Sequence, residues 1–322
     1  MDKAGFINYL ENRELQAKTI TKSIKLVTEF LTRTKKEDLQ VTKPDVLKFL
    51  EYLKNSRKLK NSSRYHYLNA LNHYFSFLYN EGKIAKNPCL LLKIRGIKRK
   101  TLYKTYTSEE LDLLFDNYYQ YFVRNFDDSY MPKNIRKVSA INKSKNALIL
   151  SVLLYQGATT WEIEKIEMDD LDLIKATLTI RGGQHSNSRI LPLKATQIGL
   201  FMHYLQNIRP QLIEYHKKES NLLFLTSFDV GKGENKKCNK ETLQLSTGNF
   251  FYLSKQVKTI DKQFFNFKQV RASVITNWLK TEGLRKTQYL AGHRYVSSTE
   301  HYIANNLDGL IDDINKLHPF DF

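Results

Sequence analysis

Apolar residues recur at three- and four-residue intervals along most of this chain, and that spacing predicts helices. In the first hundred residues it predicts four. Phe6, Tyr9 and Leu10 open the first, and Ile20, Ile24, Val27, Phe30 and Leu31 line the second. Thr42-Lys43-Pro44-Asp45 reads as a helix start, with Thr42 as N-cap and Pro44 in the first turn, leading into Val46, Leu47, Phe49, Leu50 and Leu53. Asn61-Ser62-Ser63 reads as the cap of a long helix bearing Tyr67, Leu68, Leu71, Tyr74, Phe75 and Leu78. Glu81-Gly82 ends it, and Asn87-Pro88 forbids its continuation.

A new domain begins at Thr107-Ser-Glu-Glu110, a capping-box start. A strongly apolar helix, Ala147 to Leu154, breaks at Gly157. The period then changes. Leu178 to Leu193 holds two β-rich arms around a polar, Gly-rich turn, the pattern of a hairpin. Helical spacing resumes afterwards, interrupted by a Lys/Asn/Gly-rich stretch from Gly231 to Lys240 that reads as a surface loop. The fold class expected is mainly α with a small β-sheet, in two domains: helices over 1–92, a linker over 93–106, a mixed α/β domain over 107–306, and a terminal helix or tail over 307–322.

Composition and charge add a partner. At 322 residues the chain exceeds one ordinary core. It has no apolar run long enough to span a bilayer and no signal-peptide pattern at its start. Cys89 and Cys238 match no zinc spacing, so free thiols in a reducing, cytoplasmic compartment are expected. Net charge is +18, and it is unevenly placed, with 23 Lys/Arg against 9 Asp/Glu in residues 1–107. A basic first part suits gripping phosphates; a merely solvated Lys-rich surface is the alternative. The run Lys93 to Lys104 contains Lys98, Arg99, Lys100 and Lys104 and no acid, and reads as a linker that crosses a phosphate backbone. Arg64, at the start of the fourth helix, joins these as a candidate nucleic-acid contact.

Three elements near the end of the chain carry candidate chemistry. Lys268-Gln-Val-Arg271 opens a helix whose buried side holds Val274, Ile275, Trp278 and Leu279. Leu290-Ala-Gly-His293 follows, and Tyr302 stands nine residues beyond His293, within Thr299-Glu-His-Tyr-Ile303. This ordered set resembles the tyrosine recombinase, or phage integrase, family, with Lys268 where the family has His. The first hundred residues are similar to that family's four-helix core-binding domain, down to Gly82-Lys-Ile-Ala-Lys-Asn-Pro88.

The resemblance implies a C-shaped clamp on double-stranded DNA, of the simpler two-domain type. Tyr302 would attack a phosphodiester to give a 3′-phosphotyrosine and a free 5′-hydroxyl. The bond energy is retained in that link, so no cofactor or metal is expected. Arg271 would stabilise charge on the non-bridging oxygens, and His293 would hydrogen-bond the phosphate or assist proton transfer. A homo-tetramer on DNA is implied, coupled by Leu307, Leu310, Ile311, Ile314 and Leu317 of the terminal helix; packing on its own domain is the alternative for that helix.

The chain departs from the family pattern at two places. Gln156-Gly-Ala-Thr-Thr-Trp-Glu-Ile163 stands where the family has its first Arg, and Thr159 occupies the Arg position; Glu162 keeps the acidic position as a structural brace. The hairpin turn has no Lys; Gln184 and His185 fall nearest that place, and Arg181 and Arg189 bracket the turn. Some mobile-element integrases similarly lack the first Arg. Arg181, taken as an unpaired cation facing the site, is the expected replacement. The function expected is site-specific recombination or integration of a mobile element. The alternative is a catalytically weakened DNA-binding partner that organises a complex with a sibling recombinase.

Overall fold

The computed structural model describes residues 1–96, 104–127, 129–183, 186–227 and 243–303. Lys98, Arg99, Lys100, Gln184, His185, the 231–240 loop and the tail beyond residue 303 therefore lie outside the described residues. The chain divides into two compact units, Met1–Thr101 and Leu102–Phe322, each with its own apolar core.

The first unit is helical: α1 (Lys3–Glu11), α2 (Ala17–Thr34), α3 (Lys43–Asn55) and α4 (Asn61–Asn80). The apolar stripes meet in a core of Phe6, Leu10, Val27, Phe30, Phe49, Leu53 and Leu71, where aromatic edges meet faces: Phe6 lies 5.0 Å from Tyr74, and Phe30 lies 5.0 Å from Phe49. The start of α3 is fastened by Asp45, whose carboxylate accepts from the Thr42 N–H at 2.9 Å and the Thr42 hydroxyl at 2.7 Å. Two sequence expectations differ here. Leu47 is 46% exposed rather than part of the core stripe. Asn61 does not cap α4; its side chain donates instead to the Arg95 carbonyl at 2.9 Å, tying the segment after α4 back to its start.

The second unit opens with α5 (Ser108–Tyr118), capped as the sequence predicts: Glu110 accepts from the Thr107 N–H at 2.8 Å, and Thr107 accepts from the Glu110 N–H at 3.2 Å. Then α6 (Lys133–Tyr155) runs through the core, with Ala147 to Leu150 and Val152 to Leu154 buried on every side. The break at Gly157 (φ 55°) leads into the short α7 (Thr160–Ile163).

A three-stranded antiparallel sheet follows, ordered β1 (Leu171–Asp172), β2 (Thr177–Ile180) and β3 (Arg189–Pro192). Ile180 pairs with Arg189 and Leu178 with Leu191. The unit closes with α8 (Ala195–His203), α9 (Arg209–His216), α10 (Thr247–Ile260), α11 (Phe267–Ala291) and α12 (Val296–Glu300). Gly283 (φ 73°) breaks α11, and Gly292 (φ 68°) ends it. No helix among the described residues is long and apolar enough to cross a membrane, and no His/Cys/Asp/Glu cluster among them could hold a metal.

Candidate active site

A buried carboxylate organises the site. Glu162, on α7, accepts from the Thr159 N–H at 2.7 Å and the Thr159 hydroxyl at 2.8 Å, so the residue standing in the arginine position closes a capping box. The same carboxylate takes a bidentate pair from Arg189 of β3, at 2.7 Å from Nη1 and 3.2 Å from Nη2. Both side chains of that pair are out of solvent, 0% exposed for Arg189 and 1% for Glu162. Burial by itself would raise the Glu162 pKa. Hydrogen bonding and charge from Arg189, then the charge of Arg271, outweigh it and hold the group ionised, below its ordinary value.

Arg271 comes to the other side of Glu162, 3.8 Å from its Oε2. Its orientation is set by backbone: Nη1 donates to the Gly157 carbonyl at 2.5 Å and Nη2 to the Ala291 carbonyl at 2.7 Å. Burial lowers its pKa while Glu162 raises it; a guanidinium remains charged under either influence. Tyr302, half-buried just past α12, is close enough to act on Arg271 through charge and hydrogen bonding.

His293 completes the group. Its ring stacks on that of Tyr302, centroids 5.7 Å apart and planes 14° from parallel. Its Nδ1 lies 2.8 Å from the hydroxyl of the fully buried Thr299, leaving Nε2 for a substrate. Burial pushes the imidazole pKa down to about 4, with Arg271 and Arg189 adding to it, so the ring is neutral at physiological pH. The hairpin turn is pinned alongside: Ser186 bridges to His293, and the Asn187 N–H donates to the Gly292 carbonyl at 2.9 Å. Gly292 is required twice over. Its φ is positive, and a Cβ there would stand 2.6 Å from Arg189 Nη1.

Tyr302, Arg271 and His293 are thus brought together. Lys268 lies exposed on the first turn of α11, three residues from Arg271. Arg181 is a correction. It is not an unpaired cation facing the site; it points outward and forms ion pairs with Asp170 at 2.8 Å and Glu167 at 2.9 Å. Strand alternation explains this, because Leu178 and Ile180 face inward and residue 181 is out of phase with them. The residue missed was Arg189, in phase with the inward-facing Leu191.

Of the candidate DNA contacts, Arg64 lines a groove of about 700 Å³ in the first unit together with Lys48, Lys54, Lys93 and Arg95, Glu51 being the acid among them. Its own guanidinium is oriented by the Leu50 carbonyl at 3.2 Å and Asn61 Oδ1 at 3.1 Å. Lys104 belongs to the second unit, where its Nζ donates to Gln263 Oε1 at 2.7 Å.

A helical first unit, a helical second unit with a small sheet, and a clustered Arg–His–Tyr site define the architecture of the tyrosine recombinases. The chain belongs to the phage integrase family: residues 131–308 match that family's model, and residues 4–83 match the family's N-terminal SAM-like domain. Over 283 residues it is 26% identical to tyrosine recombinase XerC of Natranaerobius thermophilus, covering 87% of this chain and 84% of the relative. Among solved structures it resembles the XerH site-specific recombinase bound to difH in a pre-cleavage complex (TM-score 0.64, 16% identity, covering 97% of this chain and 84% of that one). It also resembles the Tn1549 transposon integrase in complex with a circular intermediate DNA (TM-score 0.60, 15% identity, covering 98% and 99%).

Proposed function

We propose that this protein is a site-specific DNA recombinase of a mobile element that cuts and rejoins strands through a 3′-phosphotyrosine link at Tyr302. The observation that carries this reading is the convergence of Tyr302, Arg271 and His293 around one buried carboxylate. The Tyr302 oxygen forms a bond to phosphorus as the bond to the 5′-oxygen breaks; the tyrosine proton leaves and the 5′-oxygen takes one up. Nothing is oxidised or reduced. Attack by the 5′-hydroxyl of a second strand reverses the step and releases Tyr302.

Arg271 stabilises the charge that gathers on the non-bridging oxygens. Neutral His293 offers Nε2 to the phosphate or to the proton in transfer. The basic groove of the first unit, with Arg64, and the linker cations hold the duplex, and paired sites are joined in a tetramer of this chain. The mobile-element assignment rests on Thr159, the departure shared with some mobile-element integrases.

A nicked suicide substrate tests the chemistry. The native chain should form a covalent protein–DNA adduct that Tyr302→Phe abolishes while DNA binding persists. DNA binding with no adduct from the native chain would instead favour a non-cleaving partner of a sibling recombinase.

A further inference from the structure

Arg189 occupies a place where the sheet calls for an apolar side chain. Leu178, Ile180 and Leu191 fill the other inward positions of β2 and β3, and Arg189 fills the fourth with no solvent exposure. An ion pair buried this deeply seldom stabilises a fold more than well-packed hydrophobic residues of the same volume would. Its Nε is buried with no hydrogen-bond partner among the described residues, a further cost that packing does not repay. The residue sits in the ring of groups that forms the site. It clasps Glu162 in a fork, and Glu162 is 3.8 Å from Arg271. Its Nη1 lies against Gly292, next to His293. Its charge reaches both Arg271 and His293.

The charges decide what Arg189 does there. Arg189, Glu162 and Arg271 together carry +1. Without Arg189 the pair left behind is neutral, and Glu162 cancels the charge of Arg271, the guanidinium that faces the phosphate. Thr159 contributes a hydroxyl to Glu162 and no charge. We propose that Arg189 is the positioning residue that restores the missing positive charge of the phosphate pocket, acting from β3 through Glu162 in place of an arginine at position 159. It does not touch the substrate. It neutralises Glu162, leaving the full charge of Arg271 for the phosphorane-like transition state. This rests on the recombinase reading above, and the sheet supplies what the start of α7 lacks.

The test uses the full chain on suicide substrates with either a native phosphodiester or a single methylphosphonate at the scissile position. The methylphosphonate removes the negative charge that the pocket stabilises. Arg189→Met should slow adduct formation on the phosphodiester by about 100-fold or more, the scale seen when one charge-stabilising group is lost. On the methylphosphonate the deficit should shrink to within about tenfold of the native chain, because there is less charge to stabilise. A merely structural role would give the same deficit on both substrates, and that result would overturn the proposal. So would an Arg189→Met chain that cleaves the phosphodiester within about threefold of native.

If Arg189→Met does not fold, the double variant Thr159→Arg/Arg189→Met decides, since it returns a guanidinium to the side of Glu162 where Thr159 now bonds. Adduct formation within about tenfold of native is expected; a folded, DNA-bound double variant that does not cleave refutes the proposal. No adduct from the native chain would overturn the recombinase reading, and this inference with it. A native adduct with undiminished Arg189→Met overturns this inference alone.

Discussion

Glu162→Gln is the most informative single change to the stability of the second unit. The native carboxylate accepts four hydrogen bonds, two from Thr159 and two from Arg189, and has no contact with water. Gln keeps the shape but has one acceptor oxygen. Its amide –NH₂ must then face either the Thr159 N–H or a guanidinium nitrogen, donor against donor. The larger loss is charge, since Arg189 becomes a fully buried cation with no counter-ion. Removing one partner of a buried pair costs about 3–5 kcal/mol.

For a unit the size of Leu102–Phe322, each kcal/mol moves the melting midpoint by about 2–4 °C, so a fall of ~10 °C is expected. Calorimetry on the full chain reads this directly. The gap should depend on pH. Glu162 titrates below its ordinary value of 4.5 in the folded state, so its contribution is fully present above that value and is lost as pH falls through the lowered folded pKa. Native and variant midpoints should therefore converge in acid. A variant within about 1 kcal/mol of native at pH 7, or a gap that widens in acid, would refute the account of Glu162 as the ionised centre of the site.

Other expectations are smaller. Gly292→Ala places a Cβ 2.6 Å from Arg189 Nη1 at a positive φ, so it should cost about 1–3 kcal/mol, read from denaturant unfolding. The His293 imidazole, pushed down to about 4, should show no titration between pH 6 and 8 by NMR. Because the unfolded ring binds a proton near pH 6.5 and the folded ring does not, stability from this group should fall as pH drops from 6.5 towards 4. Arg181→Ala removes two ion pairs, one of them to Asp170, which is only 6% exposed; adduct formation should be unchanged, while stability should fall by about 1–3 kcal/mol. A tenfold loss of cleavage would return Arg181 to the site.

Much of the fold was legible in local signals. The Thr107/Glu110 capping box, the end of α4 at Gly82 and the hairpin arms each depend on a few adjacent residues, and each stands where its spacing put it. Helical periodicity was less reliable at single positions. Leu47 has the right spacing for a core residue, but it lines the basic groove, and spacing alone does not say which face another element will cover. Asn61 has the chemistry of a cap but bonds a carbonyl 34 residues away, a contact that no local pattern encodes.

The site divides the same way. Tyr302, Arg271 and His293 were marked by a motif. Glu162 is more than the brace that its position predicts, since it holds two arginines. Arg189 carries a signal of its own in the sequence. Strand alternation puts residue 189 in phase with Leu191 and residue 181 out of phase with Leu178 and Ile180, so period two alone favours the second arginine over the first.

The two carbonyls that hold Arg271 belong to the backbone, so no substitution at their own positions can delete them. Gly157 supplies one, and the other comes from Ala291, immediately before Gly292. Both glycines sit at positive φ, so the aim of this arginine is written into two left-handed turns rather than into polar neighbours. Such a socket tolerates wide drift in the side chains around it. It also makes the two glycines the fragile points: a Cβ at either would turn a carbonyl away and leave the arginine in place but misdirected.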